Sequence, residues 1–180
     1  MGPWFSRYFI IDLEFRIHIY LITYVPQFIK DTDDMNVVNE QLDKMGHNIG
    51  IRIIDEYLAK SGTQSCANFR DTAEMIGKVA FKMFLGITAE VTNWSADGNS
   101  FSLVLVDNPL VDFVEIPPQF SGLHYCNVLC GVIRGALEMV QLQVACRFVR
   151  DVLKGDEVTE LRVELKGMVR SAMGDEYKEN

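Results

Sequence analysis

The chain has little histidine, no excess of basic charge and no paired cysteine pattern, and each shortage removes a class of function. Its 180 residues contain 17 Lys and Arg against 25 Asp and Glu, a formal charge of −8. A general nucleic-acid binder needs a basic surface for phosphate contacts, so no nucleic acid is expected as a partner. Simple electrostatic attachment to anionic lipid is disfavoured for the same reason. The four cysteines (Cys66, Cys126, Cys130 and Cys146) include no C-x-x-C pair. Reduced thiols in a cytosolic protein are therefore expected, most of them serving as core filler.

The chain also lacks a membrane-length apolar run. Residues 4–29 are rich in Trp, Phe, Ile and Tyr, but Arg7, Asp12, Glu14 and Arg16 interrupt them. The uncharged run from Ile17 to Ile29 falls well short of the roughly 20 residues that span a bilayer, and Pro26 is expected to break its far end. Charges at a helix centre cost about 2.5–3.5 kcal/mol each, so no transmembrane segment is expected. No basic region leads this stretch and no small-residue cleavage site follows it, as a signal peptide would require.

Catalytic and metal-binding motifs are equally sparse. There is no G-x-G-x-x-G, P-loop, G-x-S-x-G or H-E-x-x-H sequence, and histidine occurs only at 18, 47 and 124. His124, Cys126 and Cys130 form the one metal-like cluster, but their spacing is unusual for structural zinc and packed thiols explain it better. Asp55, Glu56, Asp71 and Glu74 are expected on solvated helix faces rather than as acid–base pairs. No catalytic residue and no metal site is assigned, and Trp94 is read as a packing anchor.

What the chain does have is ordinary globular material, 48% apolar and 23% charged, enough to build one core. After the polar cluster Asp31-Thr32-Asp33-Asp34, the residues Val38, Leu42, Met45, Ile49, Ile53 and Tyr57 recur with helical period to about Lys60. Gly62 can end that helix. Phe69, Ala73, Ile76, Ala80 and Met83 predict a second helix to Gly86. Ile87, Ala89 and Val91 then alternate, as do Phe101, Leu103 and Leu105 beyond Asp97-Gly98-Asn99, which reads as a hairpin. Residues 107–120 hold three of the five prolines and predict an irregular crossing.

A helix from about Ser121 follows, with Leu129, Ile133, Ala136 and Val140 on one face. Its Gly131 and Gly135 allow something to approach the backbone closely. Two last strands, 142–148 and 161–165, flank the Lys154-Gly155-Asp156 turn, and residues 167–180 form a polar tail. The fold class is α+β, with helices packed on one face of a small four-stranded antiparallel sheet.

Cys66 is the one residue with reactive promise. It lies in the short link between the first two helices, just before the second begins, where a helix dipole favours thiolate. Arg70 would add positive charge on the same side. An inert loop cysteine is the competing reading.

Long stretches of the chain resemble a known family. They are 39–46 (Asn-Glu-Gln-Leu-Asp-Lys-Met-Gly), 78–83 with 85–88, 108–115 (Asn-Pro-Leu-Val-Asp-Phe-Val-Glu) and 129–140 (Leu-Cys-Gly-Val-Ile-Arg-Gly-Ala-Leu-Glu-Met-Val). Together they are similar to subunit 3 of the trafficking protein particle (TRAPP) vesicle-tethering complex, in unbroken order over residues 30–166. The resemblance implies the same α+β fold and a cytosolic, non-enzymatic scaffold acting in ER-to-Golgi transport. It places the protein peripherally at cis-Golgi and endoplasmic reticulum membranes. Other TRAPP subunits are the implied partners, with self-association and a Rab-type GTPase met through the assembled core.

The resemblance also implies no cofactor other than a palmitoyl group on Cys66, whose chain enters a hydrophobic tunnel inside the same molecule. Ala80 matches a small residue lining that tunnel. Ser65 stands where many family members carry a basic residue, and residues 1–22 match nothing expected of the family. Residues 1–30 are accordingly read as an atypical N-terminal extension, 31–166 as the TRAPP subunit 3-like domain and 167–180 as the tail. A free-standing fatty-acid carrier using the same pocket, and a cysteine enzyme built on Cys66 and Arg70, stand as alternatives.

Overall fold

The computed structural model describes residues 3–61, 68–112 and 114–168, with side chains in the first helix from Ile17 onward. Cys66, Ser65 and the tail 169–180 lie outside the described residues.

Helix α1 (Pro3–Asp31) runs through Pro26 instead of stopping there. Proline removes one backbone donor, freeing the carbonyl four residues earlier, which belongs to Ile22. Ile22 is on the exposed side of the helix, and so is Pro26, so water is at hand and the interruption is tolerated. Ile17, Leu21 and Val25, four apart, are buried in the core. The packed unit therefore reaches back into the stretch 1–30 at least as far as Ile17. Among the described residues no helix is long and apolar enough to cross a membrane.

Helix α2 (Met35–Ser61) buries Val38, Leu42 and Ile53 as its periodicity predicts. The next helical segment begins with α3 (Phe69–Met75), loosens into a π-turn at Ile76–Ala80 and continues as α4 (Phe81–Leu85), ending at Gly86 with φ 69°. Helix α5 (Asn127–Met139) starts six residues later than expected, because residues 121–126 are two short turns joined by irregular chain. It packs on the sheet, and α2 runs along its other side.

The strands β1 (Glu90–Thr92), β2 (Ser100–Leu105), β3 (Leu142–Arg150) and β4 (Thr159–Met168) form one antiparallel sheet in the order β1-β2-β4-β3. The first pair and the last pair are hairpins, and β2 against β4 closes the sheet from segments far apart in sequence. Phe101, Leu103, Leu105, Leu161 and Val163 alternate onto the core face and are buried. The other face is polar. There Glu160 accepts from Arg150 Nε at 2.7 Å and from Asn93 Nδ2 at 3.1 Å. A hydrogen bond with Ser102, helped by Arg150 and Asn93, holds the Glu160 carboxyl below the usual range.

Candidate functional site

An apolar cavity of about 400 Å³ lies between the helices and the sheet. Its walls come from five sources, of which helix α1 contributes Ile17. Helix α2 contributes Ile53 and Tyr57, and the α3–α4 segment contributes Phe69, Ile76, Ala80 and Phe84. Helix α5 presents Leu129, Ile133, Ala136 and Val140, and the strands add Leu142 and Leu165. The four α5 residues are the apolar face read from the sequence. Their helical spacing builds a continuous wall along the cavity.

Ala80 lines this cavity from the end of the π-turn. In that turn the Phe81 N–H reaches back five residues to the Ile76 carbonyl. The Gly77 carbonyl instead accepts from the Ala89 N–H at 2.9 Å, tying the helix to the chain entering β1. A Cβ at Gly77 would come within 2.6 Å of the Ala89 carbonyl oxygen, so glycine is required for that approach. Insertions of this kind shift every following residue around the helix. Ile76, Ala80 and Phe84 line the cavity together.

Asn68 and Thr72 lie at the same cavity with their polar atoms already engaged. Asn68 caps α3, its Oδ1 accepting from the Asp71 N–H at 2.8 Å, and Thr72 Oγ1 donates to the Asn68 carbonyl at 3.0 Å. The cap fixes the helix start at Phe69, three residues after Cys66. Arg70 is exposed, and its guanidinium lies 4.7 Å from the centroid of the Trp94 ring. Trp94 packs in turn on Phe69 and Phe101, with ring centroids 6.2 and 5.0 Å away. Arg70 is thus held by an aromatic cluster that anchors α3 to β2, and its relation to Cys66 lies outside the described residues.

The glycines of α5 face away from the cavity. A Cβ on Gly131 would strike the Asp43 carbonyl, and one on Gly135 the His47 carbonyl. Helix α2 answers in kind, with Gly46 against the Val128 carbonyl and Gly50 against the Val132 carbonyl. Close helix packing therefore accounts for Gly131 and Gly135. Gly46 and Gly50 share the four-residue spacing of Gly131 and Gly135 in the sequence. Arg134–Asp43 is an ion pair across this seam, and His47 Nε2 lies 2.6 Å from Glu138 Oε2.

The other expected sites resolve as follows. Asp55 and Asp71 are exposed, and Glu74 is half-exposed and paired with Lys78 at 2.7 Å. His124 stacks on Phe148, with centroids 5.2 Å apart, and Cys126 accepts a hydrogen bond from Asn108 Nδ2 at 3.8 Å. Burial pushes the Cys126 thiol up to about 12. Cys130 is buried, and the neighbouring Cys146 together with burial pushes its thiol well above the ordinary range. Among the described residues no three His, Cys, Asp or Glu side chains are grouped to hold a metal.

Sequence and structure comparisons agree on the relatives. The family described as "Transport protein particle (TRAPP) component" matches residues 17–164. The "Trafficking protein particle complex subunit 3" of Dictyostelium discoideum is 52% identical over 152 residues, covering 82% of each chain. The "Transport protein particle subunit bet3" of Schizosaccharomyces pombe is 50% identical over 163 residues, 88% of this chain and 89% of that one. A solved trafficking protein particle complex subunit 3 from Naegleria fowleri, described as covalently bound to palmitic acid, superposes with a TM-score of 0.84. It is 48% identical, and the match covers 89% of this chain and 99% of the other.

Proposed function

The chain belongs to the TRAPP subunit 3 family, and from that premise we propose that it is a non-catalytic scaffold subunit holding a cysteine-linked acyl chain in its internal cavity. Membership makes it a component of a trafficking complex with other TRAPP subunits as partners. In the proposed role the assembled core promotes nucleotide exchange on a Rab-type GTPase in ER-to-Golgi transport. The subunit works through contacts alone, at the cytoplasmic side of early secretory membranes.

The observation that carries this reading is the apolar cavity lined by Asn68, Phe69 and Ala80. A single residue, Ala67, separates Cys66 from Asn68. A thioester at Cys66 would put the carboxyl end of an acyl chain near the start of α3 and its methylenes among the aliphatic walls. Each methylene taken out of water contributes about 0.8 kcal/mol. A chain buried in this way stabilises the fold and leaves nothing to anchor in a bilayer. The name of the Naegleria protein supports the same ligand class.

Intact mass of the protein purified from eukaryotic cells tests the assignment, before and after neutral hydroxylamine and beside Cys66→Ser. A hydroxylamine-labile palmitoyl increment that is absent in Cys66→Ser is expected, together with co-purification of sibling subunits. A non-covalent, exchangeable fatty acid on a protein that co-purifies with no sibling would favour the carrier reading instead.

A further inference from the structure

Strand β3 is the last of the sheet, so one of its edges meets no other strand. Which groups that edge presents follows from the ladder. The Leu165 N–H donates to the Asn99 carbonyl, on the β2 side of β4. Backbone groups alternate from edge to edge along a strand, so Glu164 and Arg162 face β3. Their register partners Ala145 and Arg147 face back toward β4, which turns the N–H and C=O groups of Val144, Cys146 and Phe148 outward. The pairing is regular from Val144 to Phe148, and its register shifts bracket that stretch rather than interrupt it. Edge strands are commonly blunted by shortness, lysine or proline, and β3 has nine residues with neither lysine nor proline among them.

Beside this edge lies an open groove of about 490 Å³. Val144, Ala145 and Cys146 all line it. Successive side chains point to opposite faces of a strand, so three in a row at one groove make the edge itself its wall. The facing wall is α2, with Glu40 and Asp43, and Arg134 of α5 lies at the same groove. Asp43 is already paired with Arg134. Glu40 is 72% exposed and 4.0 Å from Lys44, a contact that solvent screens, so its charge remains available.

We propose that this groove takes an extended basic segment of a partner protein as a fifth strand on β3. Outward donors and acceptors at two-residue spacing are matched by another extended backbone. Strand addition of this kind draws affinity from main-chain bonds and selectivity from alternate side chains. Side chains on the inner face of the added strand point, like Val144 and Cys146, toward the helices. A lysine or arginine there meets Glu40 across the groove, which sets the charge of the partner. The chain's own residues 169–180 are a poor match, because Asp175, Glu176 and Glu179 would bring further acid to Glu40 and Asp43.

The test titrates the isotopically labelled full chain with a blocked peptide of alternating valine and lysine, and with its valine–glutamate counterpart. Binding of the lysine peptide should saturate, shift the Val144 and Cys146 amide signals and slow their hydrogen exchange. Cys146→Pro removes one outward donor without touching the ladder to β4, a change that edge strands accept, and should abolish these shifts. Glu40→Lys changes only an exposed side chain of α2 and leaves the strand intact. It should weaken the lysine peptide about fivefold, the effect of one exposed ion pair, and strengthen the glutamate peptide. The absence of saturable binding would overturn the proposal. So would shifts centred away from β3, or lysine-peptide binding that either variant leaves unchanged.

Discussion

The two sides of helix α5 solve opposite problems with the same backbone. On the side toward α2, glycines at 131 and 135 meet glycines at 46 and 50, and carbonyl groups occupy the places where side chains would stand. On the side toward α3–α4, Leu129, Ile133, Ala136 and Val140 border a cavity of about 400 Å³. Interiors are normally close-packed, and a void forfeits contacts along its lining. The tight seam holds the helix in one place, so that the loose side keeps its shape without collapsing. Rigidity and emptiness are thus divided between two faces a half-turn apart.

The largest effect should come from putting a side chain on one of the seam's glycines. Gly131→Val places a branched side chain against the Asp43 carbonyl, where nothing can yield except the α2 backbone. The expected loss is about 3 kcal/mol or more, read as a fall in the urea midpoint or as failure to fold. Ala80→Leu fills the cavity and should act oppositely. The non-acylated protein gains about 1 kcal/mol from cavity filling, while the hydroxylamine-labile mass increment is lost. If Gly131→Val proved neutral, or if Ala80→Leu destabilised as strongly as the seam variant, the contrast between the two faces would fail.

Alkali offers a subtler probe at the seam's lower end, where Cys126 caps α5. Its thiol is raised from 9.0 to about 12 in the folded chain by burial. The unfolded chain therefore loses this proton first. The stabilising contribution is complete below pH 9 and declines as pH rises toward 12. A loss of about 1 kcal/mol by roughly pH 10 is expected in urea titrations, and Cys126→Ala should reduce that slope. The smallest effect belongs to Arg134–Asp43, which spans the seam with both side chains about a third exposed. Asp43→Asn should cost about 0.5 kcal/mol, diminishing with added salt.

Legibility in the sequence tracks how local the determining contact is. The apolar faces of α2 and α5 and the alternation of β2 and β4 follow from 3.6- and two-residue periods, and they stand in the structure as read. The helix continuing through Pro26 was not legible, because its tolerance depends on Ile22 and Pro26 facing solvent once Leu21 and Val25 are buried. The π-turn was not legible either, since the Gly77 carbonyl takes the Ala89 N–H from the segment leading into β1, whose place depends on the sheet. Gly46 and Gly50 could have been found by matching their four-residue spacing to that of Gly131 and Gly135. The cavity itself has no residue signature. Ala80 and the α5 wall are as apolar as any core residues, and only their three-dimensional arrangement leaves the space between them unfilled.

The most direct test of an inward-facing acyl chain is the thermal midpoint of the acylated protein before and after neutral hydroxylamine, measured beside liposome flotation. Removing a chain that lies in the cavity should lower the midpoint by more than roughly 5 °C, since several kcal/mol of apolar burial are lost, and neither form should float with liposomes. An unchanged midpoint together with hydroxylamine-sensitive flotation would place the chain outside the molecule and contradict the account.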